Sequence, residues 1–237
     1  MNPLITLYVA AVIGLGGLAL ASFTLQDVTS PSLALTWLAA MALVSLFKLR
    51  LPLHRGNATM SMAYVIDFVV LATAGPDLAM IIAAAGVLVQ CTVRVRRAQP
   101  WYRTAFSVAT VVLAVKTAGV LWIVLGGTVA NPGVVTTAIP LAVAAAGYFA
   151  VNTGLVLGAI ALSNGIASRR ASLYFVRTAP AFLVAAGAAI VMQILVSREA
   201  YLFVPGAVTP VLVCYFGYAA WFQRVAEHDP EMAPART

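Results

Sequence analysis

The chain has 237 residues, of which 62% are hydrophobic and 9% charged, against about 25% charged in ordinary soluble domains. Water cannot wet so apolar a surface, so a soluble enzyme or carrier domain is excluded and a lipid-embedded fold is implied, in keeping with a mean hydropathy of +0.99. The formal charge is +7, but the basic residues sit in short loops between apolar runs. That pattern points to anionic lipid headgroups and not to nucleic acid.

Eight apolar stretches follow one another along the chain: Leu4 to Phe23, Ser32 to Phe47, Thr59 to Ala74, Leu78 to Val93, Thr104 to Leu125, Val134 to Leu162, Leu173 to Val196 and Tyr201 to Phe222. Most approach the ~20 residues a helix needs to cross hydrocarbon, so the expected fold is an all-α, polytopic transmembrane helix bundle of about eight spans. The third and fourth stretches are short. Joined by Gly75-Pro76-Asp77, they form either two spans or a hairpin that does not fully cross. The first stretch ends in Ala19-Leu20-Ala21, which resembles a cleavage site. It lacks a basic leader before it and reads as an uncleaved helix. Residues 1–224 are expected to form the bundle and 225–237 a disordered cytoplasmic tail.

Charge sets the expected orientation. Lys48, Arg50 and Arg55 follow the second stretch, and Arg94, Arg96, Arg97 and Arg103 the fourth. Arg169, Arg170 and Arg177 follow the sixth, and Arg224 and Arg236 the eighth. These are twelve of the 14 basic residues, and the positive-inside rule puts them, with both termini, in the cytoplasm. The opposite loops hold only Arg198. Arg96, Arg97, Trp101 and Arg103 make a basic, aromatic turn suited to the headgroup region or to docking a cytoplasmic partner.

Two ionisable residues lie deep in apolar stretches, Asp67 and Lys116. A charge at the centre of a bilayer costs at least ~2.5–3.5 kcal/mol on insertion scales. Counted from the cytoplasmic ends of their stretches, their depths differ by about 6 Å at ~1.5 Å per residue. They are therefore expected to face the bundle interior and to pair. One reading makes them an ion pair that fixes the third span against the fifth; the other makes them a ligand or proton site. Tyr148, Asn152, Gln193 and Thr117 are further mid-span polar groups that either line the same site or bond between helices. Gly154 and Gly158, with Gly147 before them, suit close helix packing. Pro140, Pro180, Pro205 and Pro210 are expected to kink helices.

Nothing in the sequence makes an enzyme. His54 and His228 are the only histidines, and Cys91 and Cys214 the only cysteines, all far apart. No nucleophile triad, phosphate loop or zinc motif occurs, so no catalytic residue, metal or cofactor is expected.

One pattern has a family likeness. Met60-Ser61-Met62-Ala63-Tyr64-Val65-Ile66-Asp67-Phe68 is followed by Gly75-Pro76, Gln90-Cys91, Trp101-Tyr102-Arg103-Thr104-Ala105-Phe106, Gly126-Gly127 and Val151-Asn152-Thr153. Over residues 55 to 224 this resembles the multi-helix (MASE-like) membrane sensory modules that precede GGDEF or HD-type signalling domains in bacteria. Ser107 departs from the pattern, which has asparagine there, and no output domain follows Arg224. The resemblance implies a sensory or regulatory module of the bacterial inner membrane that binds a small apolar or amphiphilic ligand, or senses the bilayer, and signals to a separate cytoplasmic or membrane partner. The alternative is a small transporter or the substrate-binding subunit of a larger one.

Overall fold

The computed structural model describes residues 3–23, 31–46, 48–50, 59–93, 100–129, 134–164, 168–198, 209, 212–217, 220, 221 and 224. The fold is a bundle of apolar helices: α1 (Pro3–Ala21), α2 (Pro31–Ser45), α3 (Ala63–Ala74), α4 (Pro76–Thr92), α5 (Trp101–Val124), α6 (Val134–Asn164) and α7 (Ser168–Ser197). Residues 212–217 are also helical, within the eighth expected stretch. The expected tail, Pro205 and Pro210 lie outside the described residues. α1, α5 and long parts of α6 and α7 are each long and apolar enough to cross a membrane.

The third stretch departs from expectation. It is not helical from Thr59. Instead β1 (Lys48–Arg50) and β2 (Thr59–Ser61) pair antiparallel, with Leu49 opposite Met60, and α3 starts only at Ala63. Twelve residues at ~1.5 Å each make about 18 Å, well short of the ~30 Å of hydrocarbon. At Gly75 the chain takes φ +92°, a left-handed value that favours glycine. Pro76 then opens α4 at a position that needs no N–H donor.

That turn stops against the side of α5. A Cβ on Gly119 would stand 2.5 Å from the Pro76 ring, so only glycine lets the turn seat there. α5 runs on five more residues to Val124, about 7 Å past it. The α3–α4 pair is thus a hairpin that turns back before the end of its neighbour.

Five helices close a ring in the order α3, α4, α5, α6, α7, with α7 returning to α3. α1 lies outside against α5 and α6, and α2 against α4 and α3. α3 is the most enclosed element: Phe68, Val69, Val70, Leu71 and Ala72 are all buried. Five consecutive buried residues cover every face of a helix. By contrast α1 presents Leu4, Leu7, Leu15 and Leu18 outward, and α5 Val120, Ile123 and Val124, which is the surface of a multi-pass membrane protein.

Small residues set the helix separations, as expected where packing rather than hydrophobic expulsion joins helices. A Cβ on Gly16 of α1 would meet Ala109 of α5 at 2.5 Å, and one on Gly147 of α6 would meet Leu121 of α5 at 2.3 Å. Gly158 receives the Tyr8 ring, whose hydroxyl donates to the Leu155 carbonyl at 2.9 Å. Gly154, expected to share that packing face, instead borders open space. α6 and α7 continue through Pro140 and Pro180.

Gly16→Leu is expected to lift α1 off α5 and cost on the order of 1–3 kcal/mol. Gly17→Leu, where no atom lies within 4 Å, leaves stability unchanged. Thermal unfolding of both variants in the same detergent measures the difference.

A buried carboxyl among aromatic rings

Positions 64, 67, 68 and 71 of α3 share one helical face by the i, i+3, i+4, i+7 spacing. Their residues are Tyr64, Asp67, Phe68 and Leu71, and all are buried. Asp67 is 2% exposed. The Tyr148 hydroxyl on α6 donates to its Oδ2 at 2.9 Å, and its Oδ1 is buried with no hydrogen-bond partner. A buried carboxyl oxygen without a hydrogen bond is costly, and among the described residues Trp37 Nε1, Ser45 Oγ and Gln193 Oε1 share that condition.

Aromatic rings from three helices pack with Tyr148 and with the Asp67 face of α3. Phe182 of α7 stacks on Tyr64 with centroids 4.2 Å apart and an interplanar angle of 19°. Phe68 meets Tyr148 edge-on at 5.3 Å and 68°, and Tyr148 lies 5.8 Å from Phe182. Phe149 packs edge-on against Phe182 at 5.2 Å. The cluster joins α3, α6 and α7 where the ring closes.

Lys116 is not part of it, contrary to expectation. Its Nζ stands 3.7 Å from Asp77 Oδ1 and 3.3 Å from Ser22 Oγ. The Lys116 and Asp77 side chains are 40% and 31% exposed. The depth count failed because α3 starts late and turns early. Asp67 lies seven residues before the end of α3, about 10 Å below the turn, whereas Lys116 is level with the turn itself. Position around the ring separates them too, since α5 packs on α4, α6 and α1, while Asp67 bonds to α6. Asp77, one residue into α4, is the partner the sequence offered: an acid in the turn at the height of the lysine.

Gln193 is also displaced from the expected site. Its Nε2 donates to the Thr128 carbonyl at 3.1 Å, tying α7 to the segment after α5, and its Oε1 is buried without a partner. It lies eleven residues along α7 from Phe182, about 16 Å. Thr117 turns back on its own helix, donating to the Leu113 carbonyl at 2.9 Å. Asn152 stays close: it is one turn from Tyr148 on the same face of α6, half-buried, with no side-chain hydrogen bond to the described residues. Of the interface residues, Trp101 is 78% exposed and Arg103 exposed at the start of α5; Arg96 and Arg97 lie outside the described residues. Among the described residues no cluster of histidine, cysteine and acid side chains suits a metal ion.

Tyr64, Phe68, Phe149 and Phe182 are the members that sequence reading missed. The Tyr64-Asp67-Phe68 spacing was the available signal, because it sets two rings beside the acid on one helical face. Family models, curated proteins and solved structures offer no match to this chain.

Two stability measurements check this geometry. Tyr148→Phe strips Asp67 of its bonded oxygen as well and is expected to cost about 1–3 kcal/mol; Asp67→Asn, which still accepts from Tyr148, costs less. A double-mutant cycle of Lys116→Met with Asp77→Asn gives a coupling of roughly 0.2–1 kcal/mol. The cycle of Lys116→Met with Asp67→Asn is additive within ~0.3–0.5 kcal/mol.

Proposed function

We propose that this chain is a non-enzymatic sensory or regulatory module of a bacterial inner membrane, with its arginine-rich loops cytoplasmic and its ligand site at Asp67 and Tyr148. The observation that carries the reading is the unbonded Asp67 Oδ1, buried inside the ring. An ionisable group within a membrane bundle marks a functional site by default, and this one lacks the lysine that would make it a purely structural pair. The resemblance of residues 55 to 224 to membrane sensory modules supports the same reading as an analogy.

In this account a ligand that binds one arrangement of α3, α6 and α7 better than another shifts the population between them. The shift passes to a partner protein through α7 and the helical residues that follow it. A second reading, a small transporter, draws support from the α3–α4 hairpin, since transporters place helix breaks beside mid-membrane sites. The readings part on uptake: a transporter accumulates its ligand in proteoliposomes over time, whereas a sensor binds it without accumulation.

Native mass spectrometry of the full chain released from its own membranes tests the proposal. A bound small molecule or partner chain is expected on the wild type and lost from Asp67→Asn. A bare wild-type chain, or a bound species that Asp67→Asn retains in full, contradicts it.

A further inference from the structure

Resting on the reading of Asp67 as a ligand site, the geometry points to an organic ammonium ion as the class of ligand: a protonated amine carrying an apolar or aromatic group. Three observations narrow the choice. The first is the absence, among the described residues, of a counter-charge. Lys116 is held by Asp77 and Ser22, and the partner that Asp67 does have is the hydroxyl of Tyr148. Among the described residues no cation stands beside Asp67 to receive an anionic ligand.

The second is the unused acceptor. Tyr148 fixes Oδ2 and so orients the carboxyl group, leaving Oδ1 buried and unbonded. An ammonium N–H donates to that oxygen, and a charge-assisted bond of this kind is among the stronger ones available. The third is the wall. Tyr64 and Phe68 share the Asp67 face of α3, and the pairs Tyr64–Phe68, Tyr64–Phe182, Phe68–Tyr148 and Tyr148–Phe182 have ring centroids 4.2–6.5 Å apart. Aromatic faces carry negative charge and edges positive, so they attract cations, and more strongly where water is excluded. Hard metal ions need six or more oxygen ligands, which one carboxyl group and one phenol do not supply. An amine with a hydrocarbon substituent satisfies both oxygen and rings.

Three probes of similar size and different charge test the assignment: 2-phenylethylamine, which is cationic at neutral pH, phenylacetate and 2-phenylethanol. Each is equilibrated with the full chain in nanodiscs of zwitterionic lipid, with empty nanodiscs as the blank for partitioning. The amine is expected to bind saturably, near one per chain, with at least tenfold weaker binding in Asp67→Asn and unchanged binding in Lys116→Met. Phenylacetate and phenylethanol give only the partitioning of the blank. Equal amine binding by wild type and Asp67→Asn overturns the inference, as does no saturable binding of the amine. Saturable, Asp67-dependent binding of phenylacetate or phenylethanol instead of the amine overturns the cation class while leaving Asp67 as a ligand site. Thermal unfolding in the same nanodiscs shows that the variants compared are folded.

Discussion

A helix of twelve residues is too short to cross a bilayer, and that constraint organises the whole molecule. Both ends of α3, at Met62 and Gly75, are buried. Backbone that leaves the helix at such depth is tolerated only where protein, not lipid, surrounds it. α3 therefore has to be enclosed, and its ring neighbours α4 and α7, with α2 on the outside and α6 across the ring, enclose it. The longer helices take the lipid contact, and α1 and α2 add further cover on the outside of the ring. An element walled off in this way is the one place where an unshielded acid escapes both water and hydrocarbon, and Asp67 is there.

The same constraint separates the two deep charges. The early turn at Gly75 carries Asp77 to the height of Lys116, so the lysine finds a half-exposed partner near a helix start. That pairing is worth little energetically, and it removes the cation from reach of Asp67. The core is left with an acid held by one phenol, beside the aromatic cluster of α3, α6 and α7. Aromatic stacking between α3 and α7, together with the Tyr148 bond between α3 and α6, makes the ring closure and the site a single structure. The proposed sensory reading uses that shared structure.

Much of the architecture was legible in the sequence. Seven of the apolar stretches read from composition match helices α1 to α7, because ~20-residue apolar runs have no other stable form in lipid. The Gly75-Pro76-Asp77 turn and the shortness of the two stretches it joins were visible as well. The start of α3 was not, since Thr59 to Met62 holds no proline, glycine or charge that would stop a helix, and only pairing with Lys48–Arg50 makes Thr59–Ser61 a strand. An error of four residues in that start was enough to misplace Asp67 relative to Lys116. Asp67 and Tyr148 were both singled out by type, as polar groups in apolar surroundings. Their contact was not predictable, because it depends on which helices of the ring are neighbours, and a single sequence does not encode that order in any local pattern.

The central claim is that Asp67 bonds to Tyr148 across the core and not to Lys116. Magic-angle-spinning NMR of the chain in lipid, with labelled aspartate carboxyl carbons, tyrosine Cζ and lysine Nζ, measures both distances in one sample. The account predicts a strong correlation between the Asp67 carboxyl carbon and Tyr148 Cζ, with Lys116 Nζ dephasing only Asp77. Dephasing of the Asp67 carboxyl by Lys116 Nζ, with no Tyr148 correlation, would contradict it.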